Sequence, residues 1–356
     1  MENYKLLDLK NFLKYDMIKW ILQTSLSERF FDLSDKRNGK DGILLENLIL
    51  SANIVLPLFV LMGLGYGAKC LHLIDEHTIE KMNNLSFRVF VPIMICENIM
   101  TADVDLKANP WIFAFAAGGL VLLFFVSWLI VPHLEKENRK KSVMIQGMCR
   151  GNYVLFGIPL ARAICPGQDT AIASLLVVVV VPMVNVLSVI VLEVYRGGKM
   201  DFRKILKGIL TNPLILSSLL GFLLLKLEVS LPQVIMKPVE DIAGLATPLA
   251  LFVLGGSFAF SKIGKNLRQL SIMLMGKLIA APAIFVTLAA LLGFRGAELA
   301  SLMVAFAAPA AVNSYTMAQQ MGGDAELAAQ HVVFSSAFSV ITIFGMVFLG
   351  KQLALF

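Results

Sequence analysis

RGNYVLFGIPLARAICPG, residues 150–167, sets two arginines, three glycines and two prolines among apolar residues. A proline inside a helix lacks an N–H, and its ring crowds the carbonyl four residues back, so Pro159 frees backbone groups. In hydrocarbon each unsatisfied group costs several kcal/mol, so a break persists only where protein, water or a solute satisfies it. The stretch therefore predicts a spanning helix interrupted at mid-depth. The half-helix that starts at the break offers free N–H groups and partial positive charge to an anion.

The rest of the chain places that stretch in a bilayer. Of 356 residues, 57% are hydrophobic and 16% charged, against roughly 45–50% and 25% in soluble domains. Mean hydropathy is +0.76. The net charge of +6 does not point to nucleic acid, because the basic residues sit in short loops between apolar runs, where they orient membrane proteins. Cys70, Cys96, Cys149 and Cys165 have no paired or ligand spacing and read as free thiols. His72, His77, His133 and His331 are scattered, so neither a metal site, a cofactor nor an enzyme is expected. No GxxxxGK[ST] loop is present, which excludes an ATP-driven pump within this chain.

Residues 1–46 mix both signs of charge and lack a continuous apolar core. Leu6, Leu9, Leu13, Met17, Trp20 and Ile21 recur at helical spacing, which suits either an amphipathic helix on a surface or a weakly ordered extension. From residue 47 onward ten apolar runs are long enough to cross about 30 Å. They are 48–69, 80–101, 109–132, 142–162, 170–195, 206–227, 235–260, 267–293, 297–319 and 326–350. Loops after the first, third, fifth and seventh runs carry fourteen Lys and Arg, from Lys69 to Arg268, against six on the other side. Those four loops are therefore expected in the cytoplasm of a multi-pass plasma-membrane protein, with both ends of the ten-helix core outside.

The chain also repeats itself. Pro57 and Pro213, Gly65 and Gly221, and Pro92 and Pro248 each stand 156 residues apart, and Asp169 and Asp324 stand 155 apart. This divides the core into residues 47–200 and 201–356, with five spans each. Five is odd, so the second copy enters from the opposite side, the inverted-repeat construction of many secondary transporters. The expected fold is all-α, with ten transmembrane helices in two inverted repeats and helices four and nine broken and crossing. The partner of the opening stretch is AFAAPAAVNSYTMAQQMGGD, residues 305–324, where Pro309 and Asn313-Ser314-Tyr315-Thr316 interrupt an apolar run.

Candidate substrate-binding residues cluster at those two interruptions. Arg150 is either a guanidinium held for a carboxylate or a side chain snorkelling to the cytoplasmic face. Asn152 and Asn313 can donate and accept at the break, or bond between helices; Ser314, Tyr315 and Thr316 share that standing. Glu97 reads as a proton carrier or an outer-interface residue, with Asn98 beside it. Lys277, ten residues into the eighth run, reads as a substrate or counter-ion group, or as a snorkelling chain. Asn185, beside Pro182, is one more polar residue in an apolar context. Gly63, Gly65, Gly67, Gly255 and Gly256 suit close helix packing.

LPLFVLMGLGYGAKCLHLID, GNYVLFGIPL, NPLILSSLLGFLLL, ATPLALFVLGGSFA and APAAVNSYTMAQQMGGDAELAA together resemble the auxin efflux carrier family, including its malate and malonate permease-like bacterial members. The resemblance covers about residues 47–350. It implies ten spans in two inverted repeats, broken fourth and ninth helices, and export or exchange of organic anions. Its crossover maps to Asn152 and Pro159, and to Ser314 with Pro309 and Asn313. Some members carry a second proline where this chain has Ser314, which favours a microbial carboxylate carrier over a hormone carrier. The expected partners are a small organic anion, the bilayer, a proton or sodium ion, and a second copy in a homodimer. The competing expectations are a sodium-coupled carrier of bile-acid type, for which no cluster of acidic and hydroxyl ligands is evident, and a membrane sensor.

Overall fold

The computed structural model describes residues 40–102, 109–165, 171–196, 202–229, 231–258 and 264–356. Residues Met1–Ile49 and Leu50–Phe356 are separate compact units. Of the first, only the helical residues from Lys40 onward are described, so most of the expected 1–46 extension lies outside the described residues. The same holds for Asp169, one landmark of the repeat. The architecture below is that of the second unit.

Among the described residues there is no strand. Helix α1 (Lys40–Cys70) is followed by α2 (Glu76–Leu85) and α3 (Val91–Met100), which a π-turn at Ser86–Phe90 joins. Then come α4 (Pro110–Leu134), α5 (Asn138–Cys149), α6 (Tyr153–Ile164) and α7 (Ala171–Arg196). Helices α8 (Phe202–Leu210), α9 (Pro213–Lys226) and α10 (Gln233–Ser257) follow. A second π-turn, Gly276–Ala280, joins α11 (Leu267–Met275) to α12 (Ala281–Leu291). The chain ends with α13 (Gly296–Ala307), α14 (Asn313–Gln320) and α15 (Ala325–Gln352).

Local chemistry accounts for most of these boundaries. Asp75 and Asp324 accept from the third backbone N–H of α2 and α15, at 2.7 Å and 2.9 Å. Asn109 and Asn212 cap α4 and α9, each just ahead of a proline at the first helical position. Both π-turns end two residues before a proline, Pro92 and Pro282, which cannot donate to the carbonyl four residues back. The chain answers with one wider turn, in which Val91 N–H reaches Ser86 O and Ala281 N–H reaches Gly276 O.

Among the described residues, five helices are long and apolar enough to cross a membrane: Pro110–Leu134, Ile172–Arg196, Gln233–Ser257, Gly264–Leu291 and Ala325–Gln352. The sequence offers ten apolar runs, but the second and eighth contain a π-turn, and the fourth and ninth are divided by non-helical residues. The first and sixth appear as the shorter apolar helices Val55–Cys70 and Pro213–Lys226.

Most of the described helices fall into two groups. In one, α1, α3, α9 and α10 lie close enough that a Cβ on Gly65 would overlap the Phe252 carbonyl, and one on Gly255 the Met62 carbonyl. In the other, α4, α5, α6, α7, α12 and α13 surround a core in which Phe285 and Phe306 stack at 4.5 Å. Helix α13 is buried on every face from Leu299 to Ala307, and α5 from Ser142 to Cys149. A helix apolar or buried all round belongs at the centre of a bundle, not at its lipid rim.

Candidate functional site

The two central helices both stop short. The chain leaves α5 at Cys149 and resumes as α6 at Tyr153; it leaves α13 at Ala307 and resumes as α14 at Asn313. The extended residues between them meet. Gly151 and Ala310 form an isolated antiparallel bridge, with Asn152 N–H donating to Pro309 O at 2.8 Å and Ala311 N–H to Arg150 O at 3.3 Å. Ser335 Oγ, from α15, accepts from Ala310 N–H at 3.1 Å. The backbone groups that an interrupted helix would orphan thus find partners inside the protein, as a buried break requires.

The interruption does not fall at Pro159. That proline lies inside α6, seven residues beyond Asn152, and the surroundings of its side chain are not described. What positions the break is Gly151. A Cβ there would stand 3.0 Å from Lys277 Nζ and 3.3 Å from Ala308 O, so any side chain would crowd the place where the two extended segments meet.

A cavity of about 250 Å³ opens beside the break, where the two helix groups face one another. Met94 and Ile95 of α3 and Thr247 of α10 line one side; Arg150 to Leu155, Val181, Val184, Asn185 and Ala311 to Asn313 line the other. Asn152 stands at the N-cap of α6 and its side chain makes no capping bond. The first-turn amides of Tyr153, Val154 and Leu155 have no intrahelical acceptor, and these three residues line the cavity. Asn185, fully buried in α7, lines the same cavity with neither its carbonyl nor its amide partnered.

Two cations accompany the break. Arg150 is 4% exposed, so it does not snorkel. Its Nη1 donates only to the Met317 thioether at 2.9 Å, a weak acceptor, and its Nε has no partner. Lys277 is fully buried in the second π-turn, and its Nζ donates to Phe306 O at 3.3 Å, at the carbonyl end of α13. The negative end of that helix dipole partly offsets the ammonium. Among the described residues, no Asp or Glu lies within ion-pair distance of either. His331, also buried, stands near Lys277 and adds no negative charge.

Of the residues expected from the sequence, Arg150, Asn152 and Asn313 come together at the cavity. Ser314, Tyr315 and Thr316 are buried in the first turn of α14 but do not line it. Glu97 and Asn98 stand further along α3, where Asn98 donates back to Met94 O at 2.7 Å and Glu97 is half-buried. Lys277 lies behind the break, and Pro159 is not at the break. Asn185 and the first turn of α6 complete the site; the former was visible in the sequence as a polar residue in an apolar run beside Pro182.

A helical membrane protein with helices interrupted around a buried, charged cavity has the architecture of a solute carrier. The similarity of the chain to known proteins gives the same class: residues 51–347 match the membrane transport protein family, which is auxin efflux carrier-like, and the chain belongs to it. An uncharacterized transporter of Methanocaldococcus jannaschii is 23% identical over 310 residues, which cover 83% of this chain and 97% of that protein.

Proposed function

We propose that the protein is a secondary transporter of a small organic anion, a mono- or dicarboxylate such as malate or malonate, in the plasma membrane. The observation that carries this reading is the pair of buried cations, Arg150 and Lys277, without an acidic partner among the described residues. A buried charge is tolerated when it is compensated, and here the cavity lined by Arg150 and the first turn of α6 leaves the compensation to a solute, with Lys277 adding its charge from behind the break. The volume of about 250 Å³ lies below the roughly 300–1,000 Å³ of sites for drug-sized ligands, which suits a small one.

In the same reading, residues 47–200 and 201–356 are inverted five-helix repeats, and the segments bridged at Gly151 and Ala310 are their crossing fourth and ninth spans. The α1–α3–α9–α10 group and the group carrying the break move against each other, so that the cavity between them opens to each side in turn. What supports this is that both groups contribute lining residues, with Met94, Ile95 and Thr247 on one face and Arg150 to Asn152 on the other.

Proteoliposomes loaded with a carboxylate test the proposal by counterflow of labelled malate and malonate. Arg150→Gln keeps the size and removes the charge. It should raise the half-saturating concentration about 10–100-fold, the equivalent of about 1.5–3 kcal/mol for a hydrogen bond to a charged group. Wild-type counterflow by Arg150→Gln, or none by the wild type with any small carboxylate, would reject the reading.

A further inference from the structure

We infer that an alkali-metal cation binds on the side of α14 away from Arg150, among side-chain oxygens of α2, its π-turn, α10 and α14. Asn83 is fully buried; its Nδ2 donates to Gln319 Oε1, and its Oδ1 has no partner. Ser86, also fully buried, lies three residues further along the same helical face, and its hydroxyl has no partner. The buried Tyr315 hydroxyl faces Ser257 and Gln319 without reaching hydrogen-bond geometry with either. Ser257 gives its own proton to Leu254 O at 2.8 Å, so its oxygen is free to coordinate. Buried hydroxyl and amide oxygens are normally satisfied, and three unpartnered ones on α2, its π-turn and α14, elements packed against one another, fit an electropositive ligand.

The chemistry of the donors defines that partner. All are oxygens, the ligands hard cations prefer, and none is charged. Helix α10 ends at Ser257 and α14 at Gln320, so the carbonyl ends of two helices aim partial negative charge at the place. Neutral oxygens and helix ends can offset one positive charge taken out of water but not two, so the site takes a monovalent ion. Arg150 does not oppose it: its partner Met317 is two residues from Gln319, about 200° around the helix.

Binding of the cation needs nothing beyond this geometry; its coupling to transport rests on the anion-carrier reading above. The same helix joins the two places, since α14 begins at Asn313 in the cavity and carries Gln319 at its other end. A cation that fixes α14 pre-organises the cavity wall, and linkage requires that anion and cation then tighten each other's binding.

The test uses the full-length protein in detergent, with thermal unfolding followed in lithium, sodium, potassium or choline chloride at equal ionic strength. The expected result is a saturable rise in Tm with at least one alkali chloride over choline. Ser86→Ala, which removes one oxygen and no volume to speak of, should raise the half-saturating concentration about fivefold or more. Asn83→Leu should abolish the response, and if it fails to fold, Ser86→Ala alone decides. Equal Tm in all four salts, or identical titrations of wild type and Ser86→Ala, would mean that only water fills the place and would overturn the inference. Cation-dependent Tm without carboxylate counterflow would reject the anion reading and leave this one standing.

Discussion

Gly151 shows how much one residue decides here. Its missing Cβ lets Lys277 Nζ and the Ala308 carbonyl come close, and that closeness puts the ammonium behind the break. Gly151→Ala should therefore lower stability by about 1–3 kcal/mol, the usual cost of overpacking, and slow transport with it. Gly65→Ala should cost more, because the obstacle is the Phe252 carbonyl in a helix backbone and not the end of a flexible side chain. Thermal unfolding of the two variants checks the order. At this scale Arg150, Asn152 and Asn313 were legible, since a charge or an amide in an apolar run has few other reasons to be there. Pro159 misled, because a proline frees a carbonyl without fixing where the chain must leave the helix. The Met317 thioether as the partner of Arg150 left no trace in the sequence at all.

Among the elements, the interrupted helices and the π-turns follow from prolines and glycines at fixed positions, while the starts of α2, α4, α9 and α15 follow from their caps. Asp324 both ends the turn after α14 and starts α15, where its carboxylate accepts from Leu327 N–H at 2.9 Å. Its own N–H donates to Arg139 O at 3.1 Å, so the turn is tied to α5 as well. Asp324→Ala should cost about 1 kcal/mol, and Asp324→Asn much less, because asparagine caps as well as aspartate. Denaturation of the three proteins in one detergent gives the comparison. A similar fall for both variants would show that the charge matters and the cap does not.

Over the whole molecule, the proposal of alternating access rests on the two helix groups and the cavity between them. Two exposed residues give the expected orientation a test: Lys136 lies in a basic loop, and Leu292 in the turn after α12, on the opposite side in a ten-span reading. In a background without native cysteines, a membrane-impermeant thiol reagent added to intact cells should label Leu292→Cys and spare Lys136→Cys. The reverse pattern would invert the topology.

The membrane class, the helical class and two of the interrupted places were determined by the sequence itself. Hydropathy and helix breaking are local properties that accumulate residue by residue along the chain. The pairing of Gly151 with Ala310, the burial of Lys277 against the end of α13, and the meeting of Asn83 with Gln319 were decided only by tertiary structure. Each joins residues far apart in the chain. The energy that selects one such pairing belongs to close packing between helices and to the satisfaction of buried polar groups, which no single segment carries on its own.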